Sequence, residues 1–456
     1  MALSHPEQGR VMNRAHIMLR NGNWLTRERI RLVAMALLLA SAFGLLYLFA
    51  TAHDGIDRQG RPLGTDFSNV YAAGTYVLDG NVTAPFDPAQ QFAREQAIFG
   101  GTTQFYGWHY PPYFLFVAAA LGTMPYGLAL AVWQAVSLAL YLFAIRAILH
   151  MPLCDGGAAA CDGRHSDIVS PGGERALRPL WLLVALAFPA VLVNIGHGQN
   201  GFLTAALIGG ALVILDRRPI LAGVLLGLLV YKPQYGLMIP VALVASGRWR
   251  AFAGAAATIV TLTIAATLAF GPAAWRAFFA ASEFTRTVVL EQGNTGWYKI
   301  QSLFSWARMW GAPLALAYTL QGVAIVALGI TLVRLWRSNA AYPLKAAALC
   351  IAAILATPYS LDYDMMVLAP AIAFLTIDGL ARGFGPWEKT ALAALWLAPL
   401  LARNVAEATL IPLGVPSMLV VFALIVRRAA QDESCATGGA ALSAAAPSYD
   451  IATFTS

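Results

Sequence analysis

Long apolar runs recur along the whole chain, at 32–51, 112–124, 125–148, 179–197, 201–215, 219–231, 233–246, 251–270, 312–333, 341–357, 364–380, 389–405 and 408–426. Crossing a bilayer takes about 20 apolar residues as a helix. A membrane barrel would instead alternate apolar and polar residues over short segments. The pattern therefore predicts an all-α polytopic membrane protein. Short basic clusters punctuate the runs: Arg217-Arg218, Arg248 with Arg250, Arg334 with Arg337, Lys345, Arg382, Lys389 and Arg427-Arg428. The first 31 residues carry Arg10, Arg14, Arg20, Arg27, Arg29 and Arg31, with no cleavage-site pattern after the following run. Basic loops stay cytoplasmic, which places both termini inside and requires an even number of crossings. Thirteen runs then imply about 12 (11–13) transmembrane helices, one run failing to cross. The run 112–124, one of the two shortest, is the weakest candidate, followed by the pair split at Lys232-Pro233.

This divides the chain into a cytoplasmic segment 1–30, one transmembrane domain 31–428 and a disordered cytoplasmic tail 429–456. Residues 52–110 and 271–311 form external loops; the mixed charge of 149–178 does not fix its side. The first loop carries Asp54, Asp57, Asp66, Asp79, Asp87 and Glu95. Within it, Asp66 to Leu78 reads as an amphipathic helix with Phe67, Val70, Tyr71, Gly74 and Leu78 on one face. His197–Asn200, Lys232 and 357–364 fall on the same side as this loop, so the polar chemistry collects on the non-cytoplasmic face.

Composition agrees: 59% of residues are apolar, 12% are charged and the mean hydropathy is +0.63. That excludes a soluble enzyme, a disordered chain and a disulfide-stapled module. The net charge of +7 follows from topology rather than from a nucleic-acid partner. Cys154 and Cys161 share a loop, Cys350 sits in an apolar run and Cys435 in the tail, with no metal-ligand spacing. A Cys154–Cys161 bond would need an oxidising compartment. No Walker loop or Gly-rich nucleotide fingerprint is present, so any activated group must come from a gradient or a lipid-linked donor.

Five places stand out, each with a plain reading beside a functional one. Asp66 is either a helix N-cap or a general base at the membrane surface. Trp108-His109-Tyr110-Pro111-Pro112-Tyr113 is either an interfacial aromatic belt or the wall of a sugar or phosphate pocket. Gly196-His197-Gly198-Gln199-Asn200-Gly201 is a tight turn, or a close approach whose amides meet hydroxyls. Lys232 is a charge inside an apolar stretch, which either snorkels or meets an anionic head group. In Thr357 to Asp364, Asp362 and Asp364 either cap a helix or contact sugar hydroxyls; two isolated carboxylates are a weak metal signal.

In order and spacing, Asp66-Phe67-x-x-x-Tyr71-x-Ala73-Gly74, Phe86-Asp87-Pro88, Tyr110-Pro111-Pro112, Gly198-Gln199-Asn200, Ala222-Gly223-x-x-x-Gly227 with Lys232-Pro233, and Pro358 to Tyr363-Asp364 resemble glycosyltransferase family 87 over roughly 30–428. The resemblance implies a glycosyltransferase C-type fold with a helical first external loop, in a bacterial inner membrane with a periplasmic site. It implies transfer of a hexose, typically mannose, from a polyprenyl-phosphate carrier to a lipid or glycan acceptor. Asp66 matches the family's base. Lys232, with Arg276 or His109, would steady the departing phosphate; Tyr71, Tyr110, His197, Gln199, Asn200, Tyr359, Asp362 and Asp364 would contact substrate. Several members carry a His near the closing cluster, where Thr357-Pro358-Tyr359-Ser360 has none. No metal, nucleotide or nucleic-acid partner is implied beyond the donor, the acceptor and membrane lipids. The rival classes are a transporter or flippase of an anionic solute and a ligase-type polymerase. A transporter fits less well, because no internal repeat appears and the polar residues crowd one face instead of the midplane.

Overall fold

The computed structural model describes residues 14–152 and 180–444, with backbone only for 434–444. Helix follows helix, and strand-like pairing among the described residues is confined to three isolated bridges. Seven described helices are long and apolar enough to cross a membrane, or eight if a bent pair counts as one. Five further apolar helices have 10–17 residues. Each apolar run read from the sequence corresponds to one of these helices. Cys154 and Cys161 lie outside the described residues.

Polar contacts sort the helix ends into two groups. At one end, α1 (Arg27–Thr51) starts under a Thr26 cap whose hydroxyl accepts from Arg29. The same end gathers the last turns of α5 (Tyr126–Leu149) and α7 (Gly201–Ile214), and the start of α8 (Pro219–Gly227). Arg248, just before α10 (Trp249–Phe284), pairs with Asp216 and lies over Trp336 and Tyr342 at 5.3 and 5.7 Å. These two aromatics close α12 (Leu314–Arg337) and open α13 (Tyr342–Leu355). Here too Asp378 of α14 (Leu368–Arg382) binds Arg382 at 2.6 Å and Arg428 at 2.9 Å. Arg428 reaches Glu388 at the start of α15 (Glu388–Thr409) at 2.6 Å, and the Arg20 carbonyl accepts from Trp387. The basic clusters thus share one end with the N-terminal segment and with the far part of α16 (Gly414–Ala444). That helix corrects one expectation: it runs to Ala444, past the point where a disordered tail was expected to begin. Arg428 and Asp432 are tied to α14 and α15, and the Ala-rich continuation favours helix.

The opposite end is built from the first polar loop. Asp87 caps α3 (Pro88–Phe99), accepting from Ala89 and Gln90, with Pro88 preset for the first turn. α2 (Phe67–Leu78) packs so closely on α4 (Leu115–Gly122) that a Cβ on Gly74 would stand 2.0 Å from the Ala118 carbonyl. Phe67, Val70 and Gly74 are buried as the amphipathic reading expects, whereas Leu78 is exposed. α4 begins and ends at this end of the bundle. Tyr110 just before it meets Gln199, while after it Tyr71 donates to the Met124 carbonyl at 2.9 Å and Tyr126 to that of Leu63. The helix of α10 breaks at Gly271 (φ 74°, ψ 166°) and Pro272, where the second polar segment begins; that segment starts with helix to Phe284, and Thr285 just beyond it meets His109 of the first loop.

At the centre lies α13, buried on every side from Ala346 to Leu355. A helix apolar all round belongs in a core, and its alanines let neighbours approach. One apolar core extends from Phe67 to Ala429. α1 stands at the rim, with Leu39, Phe43 and Leu46 exposed and only Ala34 buried.

Candidate active site

Asp66 precedes α2 in a helical conformation and its side chain makes no capping hydrogen bond. An N-cap needs extended backbone so that its oxygen can reach the first free N–H groups. This carboxylate is turned elsewhere. Oδ2 accepts from Gln199 Nε2 at 2.9 Å, and Oδ1 lies 3.7 Å from His197 Nδ1, which meets Thr65 Oγ1 at 2.8 Å. Burial alone would raise the Asp66 carboxyl. The nearby His197, the hydrogen bond from Gln199 and the more distant Arg403 outweigh it, and hold the group below the ordinary carboxylate range. It is ionised at neutral pH and still partly exposed.

The turn between α6 (Pro189–His197) and α7 supplies these partners. Leu180–Leu186 leads into α6 at a 48° bend. Gly198 ends α6 in the left-handed region (φ 63°), and a Cβ there would lie 2.5 Å from Phe67, so only glycine brings the turn against the start of α2. Its carbonyl accepts from Trp133 Nε1 at 3.0 Å, and Asn194 fastens it from below by donating to the Tyr363 carbonyl. Gln199 Oε1 takes the Tyr110 hydroxyl at 3.1 Å, and Asn200 Nδ2 donates to that hydroxyl at 2.9 Å. Tyr110, Gln199 and Asn200 thus form one buried chain ending on Asp66.

The third contributor is the stretch 357–364. Asp362 Oδ2 pairs with Arg403 of α15 at 2.6 Å. Arg403 remains 34% exposed and its Nε has no partner. Lys299 comes from the second polar segment, docked here by the 2.7 Å bond from Gln301 N–H to the Ser360 carbonyl. Burial and the charge of Arg403 lower the Lys299 ammonium, offset by Asp362, Asp66 and Glu407, so these five charges share one neighbourhood. Tyr359 is half-buried against the apolar cluster that includes Tyr363, and the Tyr363 ring is 6.1 Å from that of His197.

The expected phosphate ligands are arranged differently. Lys232, 5% exposed, gives its ammonium to Asp364, 4% exposed, at 2.5 Å, and lies over the Tyr363 ring. Its charge is already spent, and the pair forms a floor below the site. Asp364 also accepts from Leu361 N–H, as a helix-starting carboxylate does. His109 Nδ1 lies 2.9 Å from Thr285 Oγ1 of α10's continuation. Burial lowers its imidazole to about 4, with Asp66 opposing, so it is neutral at pH 7 and brings no charge to a phosphate. Arg276 is exposed on α10 and makes no ion pair or hydrogen bond with the Asp66 group. Tyr71 fastens α2 to the turn after α4 and stays outside the group.

Sequence reasoning missed Arg403 and Lys299. Arg403 carried the same signal as Lys232, a cation in an apolar run, but stood near that run's end and read as punctuation. The closing cluster has no His, yet His197 brings an imidazole to Asp66 from another element. No curated protein and no solved structure matches the chain. The sequence profile of glycosyltransferase family 87 matches residues 108–358, more than half of the chain, from Trp108 through the 196–201 turn and Lys232 to Pro358. The chain belongs to glycosyltransferase family 87.

Proposed function

We propose that this membrane glycosyltransferase moves a hexose, mannose in the first instance, from a polyprenyl-phosphate carrier to a hydroxyl of a lipid or glycan acceptor. The observation that carries this is the Asp66 carboxylate: released from capping, ionised, fixed by Gln199 and His197, and facing a side with two cations not buried by their partners. The acceptor hydroxyl gives its proton to Asp66 as its oxygen bonds to the anomeric carbon. The bond from that carbon to the phosphate oxygen breaks, and its electron pair leaves on the polyprenyl phosphate. One carboxylate and one displacement give inversion, in contrast to the paired carboxylates of retaining enzymes. Arg403, whose guanidinium side chain is 34% exposed, and Lys299 neutralise the phosphate charge as it grows. Lys232 keeps Asp364 and the 3₁₀ turn that carries Tyr363 in place. Metal ligation is not required by any of these steps.

The same reading takes the bundle as twelve crossings with the site on the non-cytoplasmic face. α4 leaves and returns at one end, the remaining apolar helices alternate between ends, and the basic clusters mark the cytoplasmic side. Purified full-length protein in nanodiscs, given farnesyl-phosphate mannose labelled in the sugar and a panel of alkyl glycosides, should release farnesyl phosphate and form an inverted glycoside. Absence of sugar transfer from every polyprenyl-phosphate donor tested would overturn the reading.

A further inference from the structure

Asn194 is an amide inside an apolar run, in the last turn of α6 and wholly buried. Its side chain faces two segments at once. Oδ1 accepts from Gly201 N–H at 2.9 Å, and Nδ2 donates to the Tyr363 carbonyl at 3.0 Å, with a weaker approach of 3.5 Å to the carbonyl of Ala190 one turn back. The Asn194 carbonyl takes Gln199 N–H at 3.1 Å and Gln134 Nε2 at 3.4 Å. The first N–H groups of a helix have no partner within it. At the start of α7 the cap residue Asn200 offers no side-chain bond, and Asn194 supplies the acceptor from the helix before. Gly201 makes room for it: a Cβ there would stand 2.4 Å from Asn194 Nδ2 and 2.7 Å from the Tyr363 carbonyl oxygen.

The two segments carry different halves of the site. The turn that ends at Gly201 bears Gln199, which donates to Asp66, with His197 beside it. Tyr363 stands between Asp362, paired with Arg403, and Asp364, paired with Lys232. One amide thus bridges the mount of the carboxylate and the mount of the cations. A peptide N–H on one side and a carbonyl on the other call for an acceptor and a donor on a single planar group, which is what an amide presents. A leucine of similar size would leave both backbone groups buried and unpaired.

We propose that Asn194 is a positioning residue for sugar transfer: it fixes the distance from the Asp66 carboxylate to the Arg403 side, and so the line along which the acceptor oxygen enters and the phosphate leaves. The inference rests on the transfer reading above. A shift of about an ångström at such a site can cost about 10²-fold in rate. The test assays the full chain in nanodiscs with farnesyl-phosphate mannose and an alkyl glycoside. Asn194→Ala, and Gly201→Ala, which drives a methyl between the amide and Tyr363, should each lower kcat about a hundredfold. Their affinity for farnesyl phosphate, read by calorimetric titration, should stay close to that of the parent. Ile351→Ala, a truncation in the buried core helix α13, serves as a control of similarly lowered melting temperature and should keep the parent's kcat. Asn194→Asp gives the sharpest readout. Its carboxylate can accept from Gly201 N–H but cannot donate to the Tyr363 carbonyl; its neutral carboxyl does both. Burial favours the neutral form, so the ratio of variant to parent kcat should rise as pH is lowered from about 8.5 to about 5.5. Taking the ratio removes the titration of Asp66, His197, Asp362 and Asp364, which both proteins share. This variant keeps the parent's shape and decides the matter if the alanine variants fail to fold. A ratio that does not rise as pH falls would overturn the positioning role alone. So would a loss of kcat in Asn194→Ala no larger than in Ile351→Ala at matched melting temperature. A parent that transfers no sugar from any donor would overturn the function, and this inference with it.

Discussion

At the scale of single residues, the three charged side chains that sequence and structure together bring forward have separable jobs. Asp66 carries no cap, so Asp66→Asn loses no helix cap, only the charge interactions that favour the ionised form, and should still melt cooperatively in detergent. The amide cannot take a proton, and general-base help is worth about 10²–10⁴ in rate; transfer should fall by that order with donor binding retained. Wild-type turnover in Asp66→Asn would remove it as the base. Lys232 behaves in the opposite way. Removing one partner of a buried pair strands the other charge, a loss of about 3–5 kcal/mol, so Lys232→Ala should be poorly stable. Lys232→Met with Asp364→Asn should recover much of that stability, as read by thermal unfolding. If Lys232→Ala instead lost donor affinity at full stability, the lysine would be a phosphate ligand after all. Arg403→Lys keeps a charge opposite Asp362 but loses the planar guanidinium fork. Its kcat at saturating donor should drop on the order of tenfold to a hundredfold with the melting point held.

At the scale of elements, the first external loop works as a clamp whose parts can be tested one at a time. Glu95 of α3 is fully buried; its carboxylate accepts from Tyr106 N–H at 3.0 Å and Gln91 Nε2 at 3.2 Å, fixing the irregular segment that leads to His109 and Tyr110. Burial, with a contribution from Asp66, raises its pKa to about 7 against an ordinary 4.5, although those hydrogen bonds pull the other way. The folded state therefore holds this proton more tightly than the unfolded chain. Stability should decline as pH rises from about 4.5 to about 7, by up to ~3 kcal/mol. Glu95→Gln, with no proton to lose, should flatten that part of the profile and melt higher at pH 7; an unchanged slope would show that Glu95 is not its source. The α2–α4 contact is as specific: Gly74→Ala would put a methyl against the Ala118 carbonyl and should cost about 1–3 kcal/mol as overpacking, visible as faster proteolysis of the loop. Elements are also where the sequence was most legible. Apolar runs, prolines at helix starts and the Asp66–Leu78 pattern are local signals, and each matches a helix. The partners of Asp66 are different. Gln199 and His197 stand over 130 residues away in sequence, and Arg403 reaches Asp362 only because α15 packs beside the 357–364 stretch. No local period encodes such meetings; a cation or amide in an apolar run signals that some partner exists, without saying which.

At the scale of the whole molecule, the parity of the crossings decides where the chemistry happens, and α4 is the helix on which parity turns. It has only eight residues, with a 3₁₀ turn before it, far short of the ~20 that span a bilayer. Tyr110 before it and Tyr126 after it both bond at the end occupied by Asp66 and Leu63. If α4 dips and returns, the turn at Thr123, which is exposed, shares a side with Gln90 in the first loop. If α4 crosses, Thr123 joins the basic side, every later helix is inverted relative to α1, and the two termini fall on opposite sides of the membrane. A set of single cysteines in a chain with its four native cysteines replaced separates these cases. Gln90→Cys and Thr123→Cys should both react with a membrane-impermeant maleimide added to intact cells or right-side-out vesicles. Arg217→Cys and Arg337→Cys, exposed at the basic end, should react only after permeabilisation. Labelling of Gln90→Cys without Thr123→Cys would make α4 a crossing and break the twelve-pass arrangement. Labelling of Arg217→Cys in place of Gln90→Cys would invert the whole bundle, and the Asp66 site would then face the cytoplasm.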